Sequence, residues 1–402
     1  MKIYLVGGAI RDSLLKLPIK EKDWVVVGSD INNMIKLGYK QVGKKFPVFI
    51  HPKSKEEYAL ARKEIKNNVG HKGFICFFSK KTTIIDDLYR RDLTINAIAK
   101  DSYNNIIDPF NGIKDIKNRI IKHVSNNFSD DPLRLLRVAR FYSYLYHLNF
   151  NISLSTIKML KKISYSGELK YISYDRIWKE LKKTMLTNNP ICFFRVLIIS
   201  NSLNIIFPEI GYLLNNINNQ FFFKKKFFKK NKNINHLEKN YIIRFLSLFY
   251  IIFKYYIRSN KNIKKKIFIF KNKINILSIK FNLPKKIKFI LKKIDLIYKL
   301  DRELNNFNLF KIIDILHLLK INNNLELLNI IIKISFINLD KKIVFIDKKN
   351  KINYFKKDLI IKIFKLINCI SIKDIILEGF INKNINNELI IRQKKKILLY
   401  FK

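Results

Sequence analysis

At 402 residues the chain is long enough for two or more domains and for a core that needs neither disulfides nor a structural metal. Three cysteines without paired spacing argue against a secreted disulfide scaffold and predict a reduced, cytoplasmic protein. The most apolar window, Phe245 to Phe253 between Arg244 and Lys254, falls well short of the ~20 residues that span a bilayer, which excludes a transmembrane helix. A formal charge of +48 suits a polyanionic partner such as nucleic acid, although the abundance of Lys, Asn, Ile, Phe and Tyr is also what A/T-rich codons of a low-GC genome would produce.

Arginine and glycine resist that drift, and both are uneven. Ten of the fourteen arginines lie in residues 1–195, and nine of the eleven glycines lie before residue 168. This points to chemistry in the first half and scaffold in the second.

The opening "MKIYLVGGAIRD" enters a strand pattern directly, with no basic-then-apolar leader. Residues 3–6, "IYLV", and 24–27, "WVVV", read as short strands with the helix "RDSLLKL" between them. Gly7 and Gly8 let backbone approach a ligand, while helix-start N–H groups and Arg11 favour an anion; alone, such a pair is better read as a tight turn. Glu21 and Asp23 stand two apart at the strand edge, so both project from one face while Lys22 points away. They are either solvated surface acids or a site for a divalent cation, and the glycine turn and Arg11 upstream favour the cation.

"FPVFIHP" and "EEYALARKE" read as further strands, with Glu64 open as a third acid or as a surface strand residue. "KNNVGHKGFICFFSKK", Lys66 to Lys81, carries Gly70 and Gly73 among lysines. From about Asp86 the pattern turns helical: "DDLYRRDLTINAIA", then "DDPLRLLRVARFYSYLYHL", where Pro132 suits a first helical turn, Asp130 and Asp131 its positive end, and Arg134, Arg137 and Arg140 one side. After about residue 150 the text is helical or ambiguous. Residues 214–240 are low in complexity, and their Phe/Lys interleaving is either an RNA-stacking surface or codon drift on a solvated face.

The fold predicted is α+β: a small N-terminal α/β head, then an all-α-helical neck, body and tail. The boundaries expected are 1–125 for the catalytic head, 126–210 for the neck and 211–402 for the body and tail.

The run "VGGAIRDSLLKLPIKEKDWVVVG", followed in order by "RRDLTINAIA", "IIDPFNGIKDI" and "DDPLRLLRVARF", resembles the class II tRNA nucleotidyltransferases. These are the CCA-adding enzymes and related bacterial poly(A) polymerases of the polymerase β superfamily. The resemblance covers about residues 1–210, including "YALARKE" and "LNIIFPEI", and is nearest the gammaproteobacterial CCA-adding type. It implies a head using Mg²⁺ on Glu21 and Asp23 as catalytic metal ligands, with CTP and ATP as substrates and tRNA as partner. Nucleotide binding would fall to Gly8, Arg11, Arg91, Asp131, Arg134, Arg137 and Arg140, with Asp92 and Asn96 bracing the loop and Lys66 to Lys81 matching the family's mobile segment between the head motifs.

In this resemblance Asp131 and Arg134 read the base directly. A carboxylate accepts from the amino group of cytosine or adenine and a guanidinium donates to the neighbouring ring nitrogen, whereas uracil and guanine offer a carbonyl and a ring N–H instead. The chain departs from the family at Glu21, where aspartate is usual, and at Asp130, where glutamate is usual. Relatives often carry a His/Asp phosphohydrolase domain. Beyond residue 200 this chain has only His236 and His317, so that activity is expected to be absent. A poly(A) polymerase of the same superfamily and an RNA-binding protein with a decayed site are the alternatives. Monomer and dimer are both open.

Overall fold

The computed structural model describes residues 1–43, 47–67, 74–216, 233–258, 262–306, 308–321, 324–335, 342–346 and 351–401. Part of the expected mobile segment at 66–81 and most of the low-complexity stretch at 214–240 therefore lie outside the described residues. The chain divides into two compact units, Met1–Pro208 and Glu209–Lys402.

The first unit opens with β1 (Lys2–Val6), α1 (Gly8–Leu14), β2 (Asp23–Val27), α2 (Ile31–Lys36), β3 (Lys40–Val42), β4 (Val48–Ile50) and β5 (Glu57–Leu60). After β6 (Arg62–Lys66) and β7 (Phe74–Phe78) come α3 (Ile84–Tyr89), β8 (Ala99–Lys100) and β9 (Ile106–Ile107). Seven of these strands form one sheet in the order β3-β4-β5-β2-β1-β8-β9, while β6 and β7 make a separate hairpin. Strand β2 lies between β1, to which it is antiparallel with Val6 opposite Asp23, and β5, to which it is parallel with Asp23 beside Glu57.

Period-two alternation divides the apolar residues between the two faces of the sheet. Tyr4, Val6, Val25, Ala61 and Ala99 pack with Ile84 and Leu88 of α3. Val26, Tyr58 and Leu60 pack with Met34 of α2 and Phe49, where Trp24 stacks on Tyr58 with ring centroids 5.7 Å apart. Helix α3 starts on a capping box in which Thr83 and Asp86 satisfy each other's backbone N–H groups.

The helical remainder of this unit contains α4 (Gly112–Lys117), a short parallel pair of β10 (Ile120–Ile121) and β11 (Asn151–Ile152), and between those strands α5 (Leu133–Leu145). Then follow α6 (Leu154–Tyr165), α7 (Tyr174–Met185), α8 (Ile191–Ile199) and α9 (Leu203–Ile206). Leu135, Leu136, Val138 and Ala139 are fully buried, so α5 is the core helix against which α7 and α8 pack.

Several local expectations are corrected. "EEYALARKE" is not one strand: it breaks at Ala61, and β6 leaves the main sheet to pair with β7. "DDLYRRDLTINAIA" is helical only through Tyr89; beyond it the chain makes a short 3₁₀ turn, Thr94–Asn96, and then enters β8. The reason is tertiary: Thr94 N–H bonds the Lys122 carbonyl and Gly7 N–H bonds that of Ile98, so the backbone there serves neighbouring segments.

The second unit is mainly helical around Tyr241–Arg258, in which Phe245, Phe249 and Phe253 are buried. Arg244 is buried there and donates to the carbonyls of Asn235 and Leu237. Tyr250 and Lys254 both donate to Asp301. An antiparallel hairpin, Lys342–Ile346 with Lys351–Phe355, interrupts the helices and was not legible in the Lys/Ile-rich text. Among the described residues no helix is long and apolar enough to cross a membrane.

Candidate active site

The turn after β1 is built for close approach. Gly7 has φ 75° and ψ −127°, a conformation open to glycine, and a Cβ there would stand 3.0 Å from Arg91 Nη1. Arg91 therefore lies directly over the turn. Its Nε and Nη2 donate to Asp87, and its Nη1 has no hydrogen-bond partner among the described residues. A Cβ at Gly8 would stand 3.4 Å from Arg11 Nη2.

Arg11 is placed otherwise than the sequence suggested. It is 5% exposed, with Nε and Nη2 donating to Asp12 and Nη1 to Asn96, and its guanidinium lies over the rings of Phe141 and Tyr144. It braces the turn from the interior.

Asp23 begins β2 and lies opposite Val6, at the end of β1 that enters the glycine turn. Glu21 precedes the strand in coil, so the expectation that both acids belong to one strand is corrected: the strand begins at Asp23. Both are exposed, and among the described residues no cation pairs with either, whereas most other acids of this unit are engaged. Glu57, the register partner of Asp23 on β5, is also exposed and projects from the same face. Sequence reasoning missed it because strand register is invisible in a single sequence.

Glu64 is not available as a third acid. Its Oε1 accepts from Arg62 at 2.9 Å and from Arg90 at 3.0 Å. Among the described residues no three His, Cys, Asp or Glu side chains form a cage for an ion. The oxygen donors at Glu21 and Asp23 nonetheless fit a hard divalent cation that keeps water and shares the phosphate oxygens of a nucleotide.

From the turn a buried polar chain leads to α5. Arg11 donates to Asn96, Asn96 Nδ2 donates to Asp92 Oδ1 at 3.1 Å, and Arg137 Nε donates to Asp92 Oδ2 at 2.7 Å. Burial alone would raise the Asp92 carboxyl, but Arg137 and the Asn96 amide outweigh it and hold Asp92 well below the usual carboxylate range. Arg140 donates to Glu180 of α7 at 2.6 Å.

At the start of α5, Asp131 accepts from Leu133 N–H at 3.1 Å, while Arg134 donates to the carbonyls of Asn127 and Arg90. Desolvation pulls the Arg134 guanidinium down from its ordinary value, opposed by Asp92 and Asp131 nearby. Burial likewise pushes the Asp130 carboxyl up, with Lys66 and Arg134 opposing it. The structure thus gathers Gly8, Arg11 and Arg91 at the turn, Asp23 opposite the end of β1, Asp131 just before α5, and Arg134, Arg137 and Arg140 along α5. The motif "DPFNGIKD" braces the assembly: Asp108 accepts from Gly112 and Ile113 N–H, and a Cβ at Gly112 would fall 2.3 Å from the Thr94 carbonyl.

Comparison with known proteins places the chain in a family. The Poly A polymerase head domain family matches residues 3–122, and the family described as "Probable RNA and SrmB- binding site of polymerase A" matches residues 149–214. A polymerase-type nucleotidyltransferase head followed by a helical segment is the class this fold and site define. The chain is 46% identical over 311 residues to the CCA-adding enzyme of Buchnera aphidicola subsp. Cinara cedri, covering 72% of each protein. It is 52% identical over 211 residues to that of Actinobacillus succinogenes, covering 52% of this chain and 53% of the other. The chain belongs to the CCA-adding enzyme family. Its fold is shared with solved structures at 20% identity: an apo CCA-adding enzyme (TM-score 0.61, 99% of this chain and 91% of the other) and the Thermotoga maritima CCA-adding enzyme complexed with tRNA (TM-score 0.58, 98% and 87%).

Proposed function

We infer that the chain adds C, C and A to the 3′ end of tRNA from CTP and ATP, without a template and with release of pyrophosphate. The observation that carries this is the 46% identity to a CCA-adding enzyme over 72% of both chains. In each addition the terminal hydroxyl of the RNA attacks the α-phosphorus of the nucleotide, the bond to the β-phosphate breaks, and pyrophosphate leaves.

The residues divide that task. Gly7 and Gly8 admit the triphosphate to the backbone, Arg91 offers above the turn an Nη1 with no hydrogen-bond partner among the described residues, and Arg11 holds the turn in shape. Asp131 and Arg134 take the amino group and ring nitrogen of the base, while Arg137 and Arg140 fix their helix to Asp92 and Glu180. Glu21 and Asp23 would hold a divalent cation, with Mg²⁺ the ion that suits carboxylate oxygens and phosphate. Such a cation, when bound, stabilises charge on the attacking and leaving oxygens.

We assign residues 1–125 to the catalytic head, 126–210 to the base-reading neck and 211–402 to a tRNA-binding body without phosphohydrolase chemistry. Its lysines would neutralise RNA phosphates, contacts that set position more than sequence. Three free cysteines fit the cytoplasm. Relatives in Buchnera and Actinobacillus, together with the Lys/Asn/Ile-rich composition, fit a gammaproteobacterial type from a low-GC genome.

The test is incubation with a tRNA transcript lacking its last three nucleotides and one labelled nucleotide at a time. Incorporation of two C from CTP alone, and of A only after them, is the expected result. Long tails from ATP alone would assign the chain to poly(A) synthesis, and binding of the transcript without incorporation would make it a decayed RNA-binding protein.

A further inference from the structure

Asp131 is gripped from outside its own helix. Arg176, in the first turn of α7, donates Nη2 to Asp131 Oδ2 at 3.0 Å and Nη1 to Oδ1 at 3.4 Å. Four residues on, on the same face of α7, Glu180 holds Arg140 of α5 at 2.6 Å. Helix α7 therefore clasps α5 with a cation on the acid at its start and an acid on a cation further along.

We propose that Arg176 is a positioning residue that determines nucleotide specificity by fixing the Asp131 carboxylate. This rests on the reading of Asp131 as the group that accepts from the base. An ionised carboxylate offers about four lone-pair directions and no donor. On Oδ1 the Leu133 amide and Arg176 Nη1 take two, and on Oδ2 Arg176 Nη2 takes one, so the acceptor direction left among the described residues is on Oδ2. The fork of a guanidinium sets the plane of the carboxylate as well as neutralising it, which one amide cannot do. The remaining lone pair therefore has a fixed direction suited to an amino group. The carbonyl of uracil or guanine placed there meets an acceptor and is rejected. Without Arg176 the carboxylate keeps only the Leu133 amide and turns about its last torsion, so the direction that rejects a carbonyl is lost.

The experiment compares wild type with Arg176→Ala, Arg176→Lys, Glu180→Gln and Asp131→Ala, measuring kcat/KM for CTP and UTP on a transcript awaiting C. Arg176→Ala should lower the CTP:UTP ratio by about 10-fold or more, the scale of a lost charge-assisted hydrogen bond. Arg176→Lys, which keeps the charge and loses the fork, should fall between wild type and Arg176→Ala. Glu180→Gln loosens the same helix pair away from Asp131, and should lower both rates alike with the ratio kept.

An Arg176→Ala enzyme that slows on both nucleotides equally would overturn the proposal by reducing Arg176 to a brace. Should Arg176→Ala not fold, Arg176→Lys carries the test, and a wild-type ratio in it overturns the proposal. Asp131→Ala separates the two failures. If it loses the ratio while the Arg176 variants keep it, only the Arg176 proposal falls; if it keeps the ratio, the base-reading assignment falls and takes the proposal with it.

Discussion

Replacing Asp92 by alanine should cut the link between the glycine turn and α5. The side chain accepts from Arg137 Nε at 2.7 Å, from Asn96 Nδ2 at 3.1 Å and from Leu93 N–H at 2.9 Å, and the residue is buried. Removing one partner of a buried ion pair costs about 3–5 kcal/mol. Arg137 is 36% exposed at its side chain, so water relieves part of its loss, and we expect about 2–3 kcal/mol here. For a unit the size of Met1–Pro208 this lowers the melting temperature by about 5–10 °C. Calorimetry of the full chain reads it in the transition of the first unit. A shift under about 2 °C would refute the reasoning, because the buried pair would then contribute no more than a surface one.

The same site predicts a pH dependence. The folded-state pKa of Asp92 is depressed below the unfolded value of about 3.9, so its contribution is complete above about pH 5 and is lost as pH falls towards the folded value. The stability difference between wild type and Asp92→Asn should therefore shrink in acid; a gap that widened below about pH 4 would contradict the assignment.

Three further substitutions probe the site. Gly7→Ala forces a side chain into a positive-φ position 3.0 Å from Arg91 Nη1 and should cost about 1–3 kcal/mol while raising KM for CTP and ATP together; an unchanged KM would separate the turn from the triphosphate. Gly112→Ala meets the Thr94 carbonyl at 2.3 Å and should destabilise the first unit by about 2 kcal/mol or more, measured by denaturant unfolding. Glu21→Asp should support addition at least as fast as wild type, since misplacement of a reacting group by about 1 Å costs roughly a hundredfold and the shorter acid is the one usual in the family; a dead Glu21→Asp enzyme would show that the surrounding coil has adapted to the longer side chain.

The layout of the head was legible because its strands alternate at period two and its turn is marked by two glycines. The motifs at Arg91 and Asp131 stood out only through their resemblance to a known family, since the spacing alone reads as an ordinary solvated helix. What escaped was tertiary. The strand boundary that leaves Glu21 in coil depends on where β1 ends, and Glu57 becomes relevant only through the register that sets it beside Asp23. Arg11 looked like an anion donor because its charge is visible in sequence, whereas Asp12, Asn96 and the aromatic rings that hold it are assembled by folding. Arg176 and Glu180 have the i, i+4 spacing of an ordinary surface pair, and only the packing of α7 on α5 turns them towards Asp131 and Arg140.

The most direct measurement is the sequence of tRNA 3′ ends after incubation with all four nucleotides, comparing wild type with Asp23→Ala. Transcripts ending in a single added CCA from wild type, and unextended transcripts from Asp23→Ala, are the predicted result. Addition by Asp23→Ala at the wild-type rate, or tails of any other sequence from wild type, would contradict the account.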